Sequence, residues 1–308
     1  MRLVALEPFI TELIHYFGCE NQLVGVSHAC AESALGLPRL TQANFPVKHT
    51  VAIEQLVLED CLANFRVDLK ALKLLKPDLI LTSLPFERVG KELEEALSRA
   101  LTENFGAPVL VRSIAPATFN QVLEGYEKIS ALLEVKDLGL DLSRRIKAQS
   151  MDWADNFYER MKNKRVTFIS SVVPLTLAGR WISDMIKMCS GLSQSQSIDR
   201  EDRSVDWQEI VTFRPDVIIV APRAATLEES LKSFKAFEKL AEWEKIPAVK
   251  RGEVIFTSGV NLFHSPGSHL IESMGILVSA MAGFESGYIT KRDSFYRLRW
   301  LEMQRHRY

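Results

Sequence analysis

The sequence contains 308 residues, of which 47% are hydrophobic and 25% are charged, a balance typical of a globular protein with room for two domains. Its formal net charge of −1 excludes a global field that attracts nucleic acid or an anionic membrane. No apolar run approaches the roughly 20 residues that a membrane-spanning helix requires, so we expect no membrane span.

The thiols and the amino terminus bear on the cellular compartment. The cysteines, at positions 19, 30, 61 and 189, lack the density of a disulfide scaffold; reduced thiols fit best, and two disulfides are the alternative. The opening MRLVALEPFITELI has an early Arg2, then Glu7 and Pro8, and no small-residue cleavage site, which is unlike a secretory signal. As written, the sequence predicts a cytoplasmic protein. A chain trimmed at a signal-peptide junction would instead be periplasmic or on the cell surface.

The first half of the chain alternates apolar strands with helical patterns. A strand is predicted in the opening RLVAL, and others at 23–26, 78–82 and 109–112. In LKALKLLKPDLILTSLP, Pro77 cannot continue the helix and marks the turn into the strand. Continuous apolar runs of this kind are typical of strands buried on both faces of a parallel sheet. These elements predict an amino-terminal α/β lobe over 1–112.

The middle of the chain, 116–164, shows no strand pattern and lacks the Gly/Ser-rich composition of a flexible linker. The pattern predicts one or two long helices, with Gly139 as a candidate interruption. We therefore expect a connecting helical segment over 113–163. Because a packed helix resists hinge bending, a cleft between the flanking lobes would open only slightly.

The second half repeats the plan of the first. KRVTFISSVVPLTLAGRWISDMIKMCSG matches the opening pattern, and WQEIVTFRPDVIIVAPR contains the same turn into a strand, at Pro215. Strands are expected at 217–220 and 254–257, which predicts a carboxy-terminal α/β lobe over 164–283. The remaining tail, 284–308, is basic; a solvated or packed helix is the favoured interpretation, and a nucleic-acid or lipid contact is the alternative.

Ligands of parallel α/β sheets sit outside the carboxyl ends of the strands, which predicts a cleft lip rich in apolar and aromatic groups. The residues that follow the predicted strands are Glu7, Pro8, Phe9, His28, Cys30, Glu32, Ser83, Leu84, Pro85, Phe86, Pro174, Leu175, Arg223, Leu262, Phe263 and His264. Trp181 stands at the entry of a helix near this lip. Its ring, like those of Phe86 and Phe263, is either a stacking surface for a flat ligand or part of the core.

The stretch VSHACAES is the sharpest local signal. His28, Cys30 and Glu32 stand at every second position, so an extended chain would point all three to one side as metal ligands. The alternative is a polar cleft loop that touches ligand or water. The sequence contains no nucleophile elbow, phosphate loop or dinucleotide glycine fingerprint, so it does not indicate an enzyme.

Together these stretches resemble the helix-linked class of substrate-binding proteins that serve ABC importers for cobalamin, haem and ferric siderophores. The resemblance rests on RLVALEPFITELIHYFGCENQLVGVSH, LKPDLILTS, FRPDVIIVAP, AGRWISDMIKMCSG and WEKIPAVKRGEVIFTSGVNLFHSPG. It is closest to the cobalamin-binding branch, in which a similar SH-x-C loop follows the second strand.

The resemblance implies two Rossmann-like lobes joined by a long backbone helix, with one tetrapyrrole-sized ligand in the cleft and no catalysis. Cobalamin or another corrinoid is the leading ligand, haem and siderophores are the related classes, and no cofactor is required. The lip residues other than Glu7 would meet the ligand, with His28 and Cys30 as axial ligands to a metal that the ligand carries. Family members dock on an ABC importer permease through a glutamate on each lobe, where this sequence has Lys70 and Gln208, with Glu209 adjacent.

Two other functions remain open at this point. One is a cytosolic metal- or tetrapyrrole-handling enzyme of the chelatase type, in which His28, Cys30, Glu32 and His264 would handle a metal. The other is a regulatory or partner-binding protein that uses the basic tail. A chelatase would turn over a mixture of porphyrinoid and metal, whereas a binding protein would give only saturable spectral shifts.

Overall fold

The computed structural model describes residues 1–30, 36–46, 58–84, 91–195, 202–223 and 225–298. The chain folds into two compact units. Unit 1 contains Met1–Ala115 and Gly125–Leu140, and unit 2 contains Pro116–Glu124 and Asp141–Tyr308. The helical segment predicted at 113–163 is not a unit of its own, because its residues are divided between these two.

Unit 1 is built on a parallel sheet and a small antiparallel pair. The strands are β1 (Leu3–Ala5), β2 (Leu23–Val26), β3 (Thr41–Pro46), β4 (Phe65–Val67), β5 (Leu79–Thr82) and β6 (Leu110–Ser113). The parallel sheet has the order β2-β1-β5-β6, and β3 pairs antiparallel with β4. Every residue of β1 and β5 is buried, as continuous apolar runs predict. Because the strands are parallel, their carboxyl ends lie at one edge of the sheet.

The local sequence explains where the helices of unit 1 begin and end. They are α1 (Pro8–Tyr16), α2 (Leu58–Cys61), α3 (Leu69–Leu75) and α4 (Lys91–Phe105). The first turn of α1 holds a proline, a position where the missing N–H would have no partner anyway. Asp68 caps α3 by accepting a hydrogen bond from the Ala71 N–H at 3.0 Å. This helix ends at Lys76 in the left-handed conformation, and the predicted turn at Pro77 is confirmed.

Two long helices, α5 (Phe119–Leu132) and α6 (Lys136–Asn156), occupy the middle of the chain and confirm the helices predicted there. Gly139 lies inside α6, at a position where a side chain would collide with Ser130 and with the carbonyl of Tyr126. The glycine therefore permits the close approach of two helices. The predicted interruption at this residue is wrong.

Unit 2 contains a mixed sheet. Its strands are β7 (Arg165–Val172), β8 (Leu175–Leu177), β9 (Leu192–Ser193), β10 (Arg203–Ser204), β11 (Val217–Val220), β12 (Val254–Thr257) and β13 (Phe295–Leu298). The order is β10-β8-β7-β11-β12-β13, with β9 also paired to β7. The central strands β7, β11 and β12 are parallel, so their carboxyl ends share one edge. All residues of β11 and β12 are buried.

Helices surround the sheet of unit 2. They are α7 (Tyr158–Met161), α8 (Arg180–Met188), α9 (Trp207–Phe213), α10 (Leu227–Lys232), α11 (Phe234–Phe237), α12 (Pro247–Arg251) and α13 (Leu270–Ala282). A π-helical turn, Gly259–Phe263, follows β12. An aromatic cluster of Trp207, Phe234, Phe237 and Trp243 packs into the buried core. Among the described helices, none combines the length and the apolar character that crossing a lipid bilayer requires.

The basic tail differs from its prediction. Its described part, up to residue 298, ends in β13, which pairs antiparallel with β12. Arg297 forms an ion pair with Glu253 and donates to the carbonyls of Ser279 at 3.1 Å and Phe284 at 2.8 Å. The predicted tail helix is therefore wrong for 295–298, because a buried cation with these partners fixes an edge strand. Residues 299–308 lie outside the described residues.

Candidate functional site

In unit 1, a polar network follows the carboxyl end of β2. The Ser27 and Thr41 hydroxyls lie 3.0 Å apart, and Thr41 Oγ1 accepts a hydrogen bond from the His28 backbone N–H at 2.9 Å. The same Oγ1 lies 2.6 Å from His28 Nδ1. The Phe65 ring packs edge-on against the imidazole, with 4.6 Å between ring centroids. The small β3–β4 sheet thus supplies both groups that orient the histidine.

The protonation state of His28 suits metal coordination. The side chain is half-buried, and burial, together with the nearby Arg39 charge, lowers its pKa from the usual value. The imidazole is therefore neutral at neutral pH. In the tautomer whose Nδ1–H donates to Thr41, the lone pair of Nε2 is left for a ligand or a metal.

Cys30 has a different environment from the one the sequence predicts. Residues 27–30 form a turn, closed by a hydrogen bond from the Cys30 N–H to the Ser27 carbonyl at 3.2 Å, so the chain is not extended here. The thiol is buried, with its Sγ 3.2 Å from Thr11 Oγ1. Burial raises the pKa of this thiol, so it stays protonated and is a poor metal ligand.

The metal hypothesis for VSHACAES loses its geometric basis. Three ligands at every second position point to one side only if the chain is extended, and the turn at 27–30 removes that alignment. Glu32 lies outside the described residues. Within the part of the chain that the structure describes, no group of three or more His, Cys, Asp or Glu side chains is placed to hold a metal ion.

Glu7 is a titratable residue that follows the first predicted strand, but no sequence pattern indicates a function for it. It lies two residues after the end of β1 and occupies the N-cap position of α1. Its Oε1 accepts a hydrogen bond from Asn64 Nδ2 at 3.0 Å. Burial raises the pKa of this carboxyl to about 7, an effect that the Asn64 bond only partly opposes. Glu7 therefore changes charge near neutral pH at the same edge of the sheet as His28.

The other lip residues of unit 1 divide between surface and core. Pro8, the first residue of α1, and Ser83, which directly follows β5, are half-buried. Phe9 and Leu84 are only 7% and 4% exposed, because their apolar side chains pack inward, and they offer little surface to a ligand. Pro85 and Phe86 lie outside the described residues.

In unit 2, an ion pair organises the carboxyl edge of the sheet. Asp202 Oδ2 accepts from Arg223 Nη2 at 2.7 Å and from the Ser170 hydroxyl at 3.0 Å. Its Oδ1 accepts from the Gly179 N–H at 3.0 Å. Burial alone would raise the pKa of Asp202, but the Arg223 charge and these hydrogen bonds together hold it below the usual value. The carboxylate stays ionised and fixes an arginine whose side chain is still 52% exposed.

His264 is held beside this pair. Its Nε2–H donates to the Ala221 carbonyl at 2.7 Å, which leaves Nδ1 as the acceptor nitrogen. Burial, reinforced by the Arg223 charge, lowers the pKa of His264 to about 4. The ring is therefore neutral and cannot supply a second positive charge at this edge.

Of the predicted site residues of unit 2, the aromatic ones, Trp181 and Phe263, belong to the core. Trp181 is 5% exposed and its Nε1–H donates to the Phe263 carbonyl at 2.9 Å. The Phe263 ring is fully buried and packs against Phe168. Stacking of a flat ligand on these two rings, one of two interpretations of the sequence, is wrong, because both rings are buried. Pro174 is exposed, whereas Leu175 and Leu262 are half-buried.

Asp202 is the functional candidate that sequence reasoning missed. It belongs to no recognisable motif, and its hydrogen-bond partners lie 21 to 32 residues away in the chain. Several acidic residues lie near Arg223 in the sequence, and no sequence pattern singles out Asp202 as its partner. Only the fold brings this carboxylate to Ser170 and Gly179.

Solved structures of periplasmic binding proteins share the fold. The periplasmic vitamin B12 binding protein BtuF of Vibrio cholerae matches with a TM-score of 0.61 and 17% identity, over 91% of this chain and 96% of its own. The periplasmic heme-binding protein RhuT from Roseiflexus sp. RS-1 matches with a TM-score of 0.64 and 17% identity, over 92% and 98%. A possible iron-binding, periplasmic solute-binding protein from Staphylococcus epidermidis matches with a TM-score of 0.63 and 18% identity, over 91% and 97%.

These matches establish the architecture. No family model matches the chain, and no curated protein matches it in sequence. At identities below 20%, the structural matches show a shared fold and no more. This fold has two α/β units, and the long helices α5 and α6 come between the two sheets in chain order. The fold predicted from the resemblance to helix-linked substrate-binding proteins is confirmed.

Proposed function

We propose that the protein is a non-catalytic binding protein for a metal chelate of the tetrapyrrole class, with a corrinoid as the first candidate ligand and haem as the second. The observation that carries this proposal is His28, a neutral imidazole held by Thr41 and Phe65 beyond the carboxyl end of β2. Such a nitrogen is a good axial donor to cobalt or iron. The shared fold supports the proposal, since BtuF is a vitamin B12 binding protein and RhuT a heme-binding protein.

Cys30 has no axial role in this proposal. Its thiol is buried against Thr11, and burial raises its pKa, so a thiolate donor is absent at neutral pH. The same facts weigh against the chelatase alternative, which needs several ligands to receive a free metal ion. A protein that binds a metal already coordinated by a macrocycle needs only one axial ligand, and His28 supplies it.

We also propose that the protein works outside the cytoplasm with an ABC importer. The support is the periplasmic nature of the proteins that share its fold, and the cytoplasmic expectation finds no support. At the two positions where family members carry the docking glutamates, this chain has Lys70 and Gln208. Lys70 and Gln208 are exposed, and the Glu209 carboxylate is held by Arg203 at 2.7 Å. The importer contact would therefore use other residues.

The test is a visible-absorption titration of the purified protein with aquocobalamin, dicyanocobinamide and haemin. We expect a saturable spectral change with at least one of them and no turnover. His28→Ala should weaken that complex about tenfold, the effect of one contact worth about 1.4 kcal/mol. It should leave the melting temperature within a few degrees, since replacements at partly exposed sites usually cost little.

His269→Ala is the matched control, because it removes an imidazole whose side chain is exposed on unit 2. It should leave every titration unchanged. If no macrocycle changes the spectrum, the proposed ligand class is wrong. If a macrocycle binds equally well to the wild type and to His28→Ala, the ligand class stands and the role of His28 is wrong.

A further inference from the structure

Unit 1 contains a cavity of about 920 Å³ at the amino ends of its parallel strands. Arg2, Asp78 and Val109 line it, and they directly precede β1, β5 and β6. His28 and Glu7 follow the carboxyl ends of strands in the same sheet. The cavity therefore lies at the opposite edge from the candidate site, and the proposed function makes no use of it.

The cavity has an apolar wall. Leu74 on α3 and Phe105 at the end of α4 contribute large apolar side chains, and Pro77 and Pro108 add smaller ones. Leu74 is 81% exposed, whereas its neighbour Leu72 is fully buried. An apolar wall rimmed by polar residues marks a surface that binds something. Its volume is that of a pocket for one small molecule, for which the usual range is roughly 300–1,000 Å³.

The rim of the cavity is cationic, and Asp78 is the acidic residue that lines it. The basic lining residues are Arg2, Lys70, Lys73 and Lys76. Arg2 and Lys73 each donate a side-chain hydrogen bond to a backbone carbonyl. Asp78 accepts from a backbone N–H at 2.7 Å. With respect to the described residues, the ammonium groups of Lys70 and Lys76 make no hydrogen bond or ion pair.

We propose that this cavity is a second binding site, which takes a small amphiphilic anion: a carboxylate or phosphate carried on an alkyl or aromatic body. The anionic group meets the ammonium groups of Lys70 and Lys76, and the apolar body covers Leu74 and Phe105. Both features are needed, since a bare anion leaves the apolar wall in water and a neutral apolar molecule leaves the cations without a partner. A single compact cavity of this size favours a small molecule over a segment of an acidic protein.

Isothermal titration calorimetry of the full chain with octanoate tests the site, with acetate as the anion that lacks the apolar body and 1-octanol as the chain that lacks the charge. We expect saturable binding of octanoate, weaker binding of octanol and none of acetate. The double variant Lys70→Gln/Lys76→Gln should bind octanoate about fivefold more weakly, as expected for two solvent-exposed charge pairs. Leu74→Ser should also weaken octanoate binding, because it removes part of the apolar wall. The protein should still fold, since Leu74 is exposed and its replacement leaves the core intact.

Lys235→Gln/Lys239→Gln is the matched control, with the same loss of charge on exposed lysines of unit 2. This variant and His28→Ala should bind octanoate as the wild type does. The proposal is overturned if octanoate does not bind, if octanol binds as tightly, or if the Lys70/Lys76 variant keeps full affinity. It is also overturned if an acidic peptide or phosphatidylglycerol vesicles bind through these lysines while octanoate does not.

Discussion

The Nδ1 atom of His28 lies 2.6 Å from the Oγ1 atom of Thr41. The same hydroxyl accepts from the His28 backbone N–H and lies 3.0 Å from the Ser27 hydroxyl. Thr41 is 5% exposed, so these groups have little access to water as a substitute partner. One buried hydroxyl thus determines both the backbone of the turn after β2 and the orientation of the imidazole.

Thr41→Val should therefore impair both folding and ligand binding. Valine has nearly the same shape but leaves the groups around Oγ1 without a partner, which costs about 1–3 kcal/mol of unfolding free energy. The macrocycle that binds the wild type should bind less tightly, because the ring of His28 is no longer oriented. Urea unfolding and absorption titration measure the two effects. Thr41→Ser keeps the hydroxyl and should restore both, and a serine variant as weak as the valine variant would contradict the role of the hydroxyl.

Glu7 should make the stability of the protein depend on pH. Its pKa is about 7 in the folded state against 4.5 as its ordinary value, so the folded state holds this proton more tightly than the unfolded state. The resulting stabilisation is fully present below pH 4.5 and is lost as the pH rises through 7. Its size is on the order of 3 kcal/mol, since the two pKa values differ by about 2.5 and a difference of one corresponds to about 1.4 kcal/mol.

Glu7→Gln should remove this dependence. Thermal unfolding at pH 5 and pH 8 should show the wild type losing melting temperature relative to the glutamine variant as the pH rises. Glu103→Gln changes an exposed carboxylate of the same unit and serves as the control. Parallel pH profiles for the wild type and Glu7→Gln would show that Glu7 titrates at its ordinary pKa.

Much of the fold is predictable from the sequence, for a physical reason. Parallel strands buried on both faces must be continuously apolar, and a proline can separate such a strand from the preceding helix. The sequence shows this at Pro77 before β5 and at Pro215 before β11. The strand β13 was not predictable, because Arg297 resembles a solvated cation until Glu253 is known to lie beside it.

The candidate site is less predictable. The rule on carboxyl ends of strands places His28 and Arg223 at the sheet edges, but it does not say which side chains turn inward. Trp181 and Phe263 were also predicted near these edges, but both are buried. Thr41 was missed because the group that orients His28 comes from a separate small sheet, and no local pattern links the two.

His264 should give a pH dependence of the opposite sign to Glu7. Burial lowers its pKa to about 4, whereas the unfolded chain takes up this proton near pH 6.5. The stability is therefore complete above pH 6.5 and falls as the pH drops to 4, by on the order of 3 kcal/mol. His264→Gln keeps an N–H for the Ala221 carbonyl but does not titrate. The melting temperature of the wild type should fall relative to this variant between pH 7 and pH 4.5, and a constant difference would contradict the buried neutral state of His264.

Arg223 should distinguish ligands by charge. Its guanidinium is held by Asp202, and its side chain is still 52% exposed. It can therefore bind an anionic group with less loss of conformational entropy than an unrestrained arginine would have. Haem carries propionates, whereas cobinamide carries neutral amides around its ring. Arg223→Gln should therefore lower the affinity for haem by about fivefold, as one partly exposed charge contact does, and the affinity for cobinamide less. Arg214→Gln removes an exposed arginine at the end of α9 and should change neither titration. Equal losses for both macrocycles would mean that Arg223 acts through the fold of the edge, and no loss for either would place it outside the binding site.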